Sequence, residues 1–328
     1  MDTQHDIIHR GSRSHERWSV QREVFAVTSK EISTEEGTSL GLFGKCVMCW
    51  HYDFWKNIPE NRRVGCRVVC LFHHHLVERF DDPQIVGAMC LNSRMFAALR
   101  SRQPAKWTAR VHTGGAEDAI PYARRSYATP KIRLLVAGNG HASVPLMQSM
   151  RGPSGTVTSA RKGTDMILPL AQRLNPERYA WVFVGPGWSC YGHALNKIGF
   201  TVIQPGTLPD PEHYRYFGEG DIYLLLSRQE GVPLTLLETM GLGIWPISTQ
   251  VGIAPEIIIH GHNGYLVASP TNESSERFLD VVADQISSLT SEMLAHSRKT
   301  IVASVSDFKW TRFKMQVDQF LSFVFNGL

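Results

Sequence analysis

DIYLLLSRQEGVPLTLLETMGLGIWPIS, Asp221 to Ser248, contains two continuous apolar runs, "DIYLLLS" and "IWPIS", separated by the helical run "LTLLETM". A strand, a helix and a second strand in close succession require a crossover, and strands apolar on both faces belong to a parallel sheet covered by helices. Working outward, "IRLLVAG", "YAWVFVG" and "FTVIQPG" have the same buried-strand character, and "DMILPLAQRL" is a helical segment between two of them. The second half of the chain therefore reads as an α/β domain with a parallel sheet.

In such a sheet, ligands sit beyond the carboxyl ends of the strands. The first strand of the quoted stretch ends at Ser227, which puts Arg228 to Pro233 on that rim. Gly231 lets the backbone approach a ligand closely, and Pro233 suits a first helical position because its missing N–H costs nothing there. A helix over about Pro233 to Met240 then aims its positive end at the rim, which suits a diphosphate. Glu230 and Glu238 flank this anion site with seven residues between them. A carboxylate accepts hydrogen bonds from two adjacent hydroxyls, so Glu238 suits the ribose of a nucleotide and Glu230 the hydroxyls of a sugar on the other side of the phosphates. The plainer alternative is that Glu230 pairs with an arginine and Glu238 has no ligand.

The chain has 328 residues, enough for two domains. It is 43% hydrophobic and 20% charged, with no apolar run near the ~18 residues of a membrane span. The first residues lack the apolar core of a secretory signal, so a cytoplasmic location and six reduced cysteines are expected. The net charge is +4. Between Arg94 and Arg133 the cations Arg94, Arg100, Arg102, Lys106, Arg110, Arg124, Arg125, Lys131 and Arg133 face only Glu117 and Asp118. This basic belt is either a solvated face with a linker or a surface for a peripheral contact with an anionic membrane or acidic acceptor. Nucleic acid is not expected as a partner, because no binding motif accompanies the belt.

Upstream, residues 1 to about 40 read as a helix or loose arm on which no fold argument rests. "CRVVCLF" is a strand, "SRMFAALRSR" has helical spacing of Met95, Phe96 and Leu99, and Tyr122 to Lys131 is a polar, proline-containing linker. "DFKWTRFKMQVDQFLSFVF" spaces Trp310, Phe313, Val317, Phe320 and Leu321 as an amphipathic helix. His73, His74 and His75 follow the "CRVVCLF" strand, where one of them can face a ligand. Cys46, Cys49, Cys66 and Cys70 raise a zinc alternative, set against the simpler packing of thiols in a core. "AGNGHAS", Ala137 to Ser143, imitates a dinucleotide fingerprint, but serine stands at the third small position and no acidic ribose partner is evident. An NAD-dependent oxidoreductase is thus the minor alternative.

Asp221 to Val267 resembles the donor-site signature of the retaining GT-B glycosyltransferases, glycosyltransferase family 4 or glycosyl transferases group 1. The shared elements run in order: strand, Ser227, Glu230-Gly231-x-x-Leu234, Glu238, a Gly-bounded helix end, a strand, Gly252-x-x-Pro255-Glu256 and Asn263-Gly264. The resemblance implies a GT-B fold, two Rossmann-like parallel-sheet domains facing a cleft, with the N-terminal one short. It implies an acceptor-side domain over 1–125, a nucleotide-sugar donor domain over 126–305, and a C-terminal helix over 306–328 packing back toward the first domain. It further implies a retaining, metal-independent hexosyltransferase with no cofactor, acting between a nucleotide sugar and a sugar, lipid-linked or other hydroxyl acceptor. In that reading Glu230 meets the donor sugar, Glu238 the ribose, and backbone amides around Gly231, Val232, Pro233 and Leu234 the diphosphate. "SARKGTDMILPLAQRL" resembles the family's Lys-Gly segment, which makes Lys162 a phosphate cation and Arg161 a substitute for an arginine missing from its usual place. "VVCLFHHH" is similar to a strand whose last histidine approaches the donor sugar, which assigns that role to His74. A nucleotide-sugar-binding protein without transfer activity is the remaining alternative, because the acceptor half is reduced.

Overall fold

The computed structural model describes residues 6–9, 30–33, 38–49, 55–72, 77–122, 130–138, 140, 161–209, 212–269 and 275–327. The chain divides into two units, Met1–Gly114 with Phe308–Leu328, and Gly115–Asp307.

The first unit contains β1 (Asp6–His9), β2 (Lys30–Ser33), β3 (Cys46–Cys49), β4 (Arg67–Phe72), β5 (Ile85–Cys90), α1 (Ser93–Arg102) and β6 (Trp107–Arg110). Its strands form one parallel sheet in the order β2-β1-β3-β4-β5-β6. The reading of residues 1 to about 40 as a loose arm is corrected here, since two four-residue strands from this stretch extend the sheet beyond β3. Each carries too few apolar residues to show a period, so only pairing with a neighbouring strand defines it. Helix α1 starts where the Asn92 side chain accepts a hydrogen bond from Met95 N at 2.8 Å. It buries Met95 and Leu99 against β-strand residues such as Val68 and Ala88. The helical period thus faces the sheet, as the sequence predicts.

Cys49 and Cys70 are register partners on β3 and β4, both buried, and none of the six cysteines forms a disulfide. Burial, then the neighbouring Cys49 thiol, pushes the Cys70 thiol well above its ordinary value. Among the described residues no group of three or more His, Cys, Asp or Glu side chains is placed to hold a metal ion. Cys49, Cys66, Cys70 and Cys90 pack in the core of the first unit, whereas Cys46 is half-buried and Cys190 exposed.

The second unit contains α2 (Ala116–Ala119), β7 (Ile132–Ala137), α3 (Ile167–Ala171), β8 (Tyr179–Val184), α4 (Ser189–Lys197), β9 (Thr201–Gly206), α5 (Glu212–Phe217), β10 (Ile222–Leu225), α6 (Leu234–Gly241), β11 (Trp245–Thr249), α7 (Ala254–Ile257), β12 (Tyr265–Val267), α8 (Ser275–Ser288) and α9 (Ser291–Ser304). The boundary falls between Gly114 and Gly115 instead of near residue 125, because α2 packs against α6. A Cβ on Gly241 would lie 2.3 Å from the Ala116 carbonyl oxygen, so only glycine permits this approach. The sheet is parallel in the order β12-β11-β10-β7-β8-β9. Counted from β7, this is the doubly wound order, and it reverses between β7 and β10. The crevice at that switch point is where such sheets bind ligands.

After α9 the chain returns to the first unit as α10 (Trp310–Asn326), which buries Trp310, Phe313, Val317, Leu321, Val324 and Phe325. Phe320 lies over Gly87 of β5, where a Cβ would meet its ring at 3.4 Å. Arg67 at the start of β4 donates to the Phe325 carbonyl at 2.9 Å and also to that of Val324, which satisfies two of the last carbonyls of the helix. No helix among the described residues is long and apolar enough to cross a membrane.

The basic belt is divided between the two units and largely engaged. Arg102 grips Asp81 through two hydrogen bonds and pulls its carboxyl below the ordinary range. Lys106 donates to the Phe80 and Asp82 carbonyls at 2.6 and 2.7 Å, Arg110 donates to the Ser93 hydroxyl, and Arg133 pairs with Glu219. Arg124 and Arg125 lie outside the described residues.

Candidate functional site

Strand β10 is wholly buried and delivers Ser227 and Arg228 to the switch point. Threonine 249, at the end of the neighbouring β11, donates its hydroxyl to the Ser227 carbonyl, tying the two strand ends together. The loop that follows turns into α6, whose first residue is Leu234. Pro233 is therefore the N-cap, with an extended backbone at φ −72° and ψ 97°, and not the first helical residue the sequence suggests. Since proline has no N–H, the donors nearest this helix entrance are the amides of Val232 and Leu234, while the Leu236 N–H donates to the Pro233 carbonyl at 2.9 Å. All of these loop residues but Pro233 are half-buried.

Glu230 is held in this loop by two donors. The Lys162 ammonium lies 2.6 Å from Oε1, and the Ser227 hydroxyl donates to the same oxygen at 2.8 Å. The Glu230 side chain is only 9% exposed, whereas that of Lys162 is 38% exposed. The carboxylate is thus fixed from below while the ammonium keeps an open side. Lys162 and Glu230, 68 residues apart in sequence, meet here, and the partner of Glu230 is a lysine instead of the arginine of the plainer alternative.

The segment bearing Lys162 is seated against the end of β10. Gly163 adopts φ +67°, and a Cβ there would lie 2.1 Å from the Leu226 carbonyl oxygen. The Arg228 N–H donates to the Arg161 carbonyl at 2.7 Å. Arg161 is exposed and contributes that carbonyl to the seat. Arg228 and Asp165 form a forked ion pair with bonds of 2.9 and 2.8 Å, an element that sequence reasoning missed. Its only sequence signal is position, one residue beyond the strand end and three beyond Lys162.

Glu238 lies one helical turn and more inside α6, 8% exposed, and accepts a long hydrogen bond of 3.4 Å from the Tyr214 hydroxyl on α5. Between the two glutamates, the Tyr223 hydroxyl of β10 meets the Thr235 hydroxyl at 2.7 Å. Burial, reinforced by the charges of Glu230 and Glu238, raises the Tyr223 hydroxyl far above its ordinary value, so it stays protonated. Behind the loop, Gly252 passes beneath the Gly231 carbonyl, and the buried Asn263 closes the following turn by accepting from Ile259 N at 2.7 Å and donating to the Ile257 carbonyl at 2.9 Å. His74, together with His73 and His75, lies outside the described residues.

The glycines of "AGNGHAS" have a different use from phosphate binding. Trp188 donates its indole N–H to the Gly138 carbonyl at 3.0 Å, a Cβ on Gly140 would lie 2.5 Å from the Trp188 ring, and one on Gly185 would lie 2.1 Å from the Gly138 oxygen. These small residues let the loop after β7 pack on the loop after β8.

Residues 157–299, which contain Lys162, Glu230 and Glu238, match the family Glycosyl transferases group 1. Curated relatives match parts of the chain. N-acetyl-alpha-D-glucosaminyl L-malate synthase of Bacillus anthracis is 52% identical over 46 residues, 14% of this chain and 12% of that protein. Sulfoquinovosyl transferase SQD2 of Arabidopsis thaliana is 27% identical over 105 residues, 31% of this chain and 20% of that protein. The chain thus matches a fifth or less of the length of either relative. Among solved structures, HepE of Anabaena in complex with UDP and glucose aligns with 99% of this chain and 100% of its own at a TM-score of 0.65 and 12% identity. That likeness is one of fold, the GT-B class with two Rossmann-like parallel-sheet units.

Proposed function

We propose that the protein is a retaining glycosyltransferase that takes a sugar from a nucleoside diphosphate and passes it to an acceptor hydroxyl, with no metal ion or cofactor. The observation that carries this reading is the cluster of Lys162, Ser227 and Glu230 at the switch point of the second sheet, beside the entrance of α6. In this reading the diphosphate sits at the helix entrance, facing the amides of Val232 and Leu234 and the open side of the Lys162 ammonium. Charge that accumulates on the phosphate as the glycosidic bond breaks meets fixed positive partners there, which is how such a site lowers the barrier without a metal. Glu230, fixed by Ser227, accepts hydrogen bonds from the donor sugar's hydroxyls, and Glu238 accepts those of the ribose. No covalent role is assigned to Glu230. An oxidoreductase reading loses its support, because the glycine loop it would need is committed to Trp188. The expected membrane contact is left out of this reading, since Arg102, Lys106 and Arg133 have partners of their own.

The test is a thermal-shift screen with UDP, GDP and dTDP and their sugars. UDP and UDP-glucose come first, because UDP and glucose are what the HepE structure holds. A ligand at a hundred times its Kd should stabilise the fold by about 2.7 kcal/mol. The nucleotide sugar that binds is then incubated with acceptors and the product anomer assigned by NMR. Stabilisation by none of the nucleotides would refute the donor site, binding without turnover would leave a sensor, and an inverted product would refute retention.

A further inference from the structure

The ammonium of Lys162 is useful only if it stays beside Glu230 and over the helix entrance, and its own side chain is too flexible to ensure that. A lysine is a point charge on four rotatable carbons, so its location depends on how its backbone is held. Three contacts hold it here, on both sides of Lys162. Arg161 before it is fixed through its carbonyl by Arg228 N, Gly163 after it is pressed to the Leu226 carbonyl, and Asp165 beyond is gripped by both terminal nitrogens of the Arg228 side chain. Arg228 makes the first and the last of these contacts and stands two residues before Glu230 on the same loop.

We infer that Arg228 and Asp165 are positioning residues, a clamp that sets the distance between the lysine-bearing segment and the glutamate-bearing loop and so keeps Lys162 on its catalytic station. This inference rests on the donor-site reading above. A forked arginine–carboxylate pair fixes orientation as well as distance, which a lysine in its place does not do. The Asp165 side chain is 46% exposed and that of Arg228 21% exposed, so the pair adds little to global stability and its effect is local. The competing role for Arg228 is direct contact with the diphosphate, with Asp165 merely neutralising it.

The experiment reads Lys162 itself. The full-length chain is labelled briefly with acetic anhydride, and acetylation of Lys162 is quantified by mass spectrometry against the exposed Lys197. Arg228→Gln, Asp165→Asn and Arg228→Lys should each raise the relative labelling of Lys162 by at least about threefold, and the double variant Asp165→Asn/Arg228→Gln should add little to either single change, as expected for two halves of one interaction. Their melting temperatures should stay within about 3 °C of the parent, as for an exposed pair. Unchanged labelling in all three single variants overturns the clamp. So does unchanged labelling in Asp165→Asn with tighter UDP binding, which assigns Arg228 to the diphosphate. If the parent protein binds none of the nucleoside diphosphates yet the labelling rises as stated, the clamp stands and the donor reading falls.

Discussion

Gly252 sits where the turn after β11 passes under the loop that carries Glu230, and its replacement by alanine probes how tightly the two are fitted. Its backbone is left-handed at φ +53°, which costs an L-residue about 1–2 kcal/mol. A Cβ there would lie 2.3 Å from the Gly231 carbonyl oxygen and 3.2 Å from Pro233 Cδ. The first distance is about 1 Å inside ordinary contact, so the Gly231 peptide must move, and forced overpacking of this kind costs a further 1–3 kcal/mol or so. Gly252→Ala should therefore lose about 2–5 kcal/mol of stability, which lowers the melting temperature of a unit of this size by roughly 5–15 °C. The displaced peptide lies between Glu230 and the entrance of α6, so nucleotide affinity should fall as well. Gly261→Ala is the control, because Gly261 is left-handed at φ +78° with open space around its missing Cβ, and only the backbone cost applies. Paired thermal melts and UDP titrations of the two variants decide the matter. If Gly252→Ala melts no lower than Gly261→Ala and binds nucleotide as the parent does, the close approach behind the site is wrong.

Glu238→Ala should weaken nucleotide binding by about 1.5–3 kcal/mol, the worth of charge-assisted hydrogen bonds, while Glu230→Ala should chiefly lower turnover; calorimetry and initial rates would show the split, and equal loss of both quantities in both variants would contradict it. Activity should persist in excess EDTA, and its abolition with rescue by Mn²⁺ or Mg²⁺ would show that the phosphate charge is met by a metal ion. Cys190, the exposed thiol, should react first with a chromogenic disulfide, and the half-buried Cys46, whose thiol burial pushes up, more slowly. Cys49, Cys66, Cys70 and Cys90 are buried and should react only on unfolding, so more than one fast thiol would argue against the packing of the first sheet.

The second sheet was legible in the sequence at its centre, where β8, β10 and β11 are buried and β7 mostly so, whereas the edge strand β9, read from "FTVIQPG" as buried, is exposed or half-buried throughout. "YAWVFVG" and "DIYLLLS" advertise β8 and β10 without any knowledge of their neighbours, and the helix between β10 and β11 shows its own period. The first sheet was legible only at its centre. "CRVVCLF" reads as β4, but "DIIH" and "KEIS" are strands only because β1 lies between β2 and β3, and such pairing leaves no mark on a four-residue segment. The domain boundary was misplaced for a related reason. Composition points to the polar run after Tyr122, whereas the physical division is set by a glycine-mediated contact between α2 and α6, far apart in the chain.

At the site, the residues that touch a ligand in the proposed reading announce themselves by local chemistry: a carboxylate at a strand end, a glycine and a proline before a helix, a Lys-Gly pair. What holds them does not. Arg228 reaches Asp165 across 63 positions and Ser227 reaches Glu230 across three, and nothing in the charge count separates these partners from any other arginine, aspartate or serine. The basic belt shows the same limit in reverse. Summed along the chain it is a large one-sided charge, yet Arg102 meets Asp81 and Arg133 meets Glu219, acids that lie outside the window in which the sum was taken. A linear charge excess measures what a segment brings to the fold, and tertiary pairing decides how much of it is left for a partner. Lys162 differs from the belt cations in this respect. Its partner, Glu230, sits in the very loop that would receive the donor, so the charge it neutralises can change when a diphosphate arrives, whereas the carbonyl oxygens bound by Lys106 offer no such exchange.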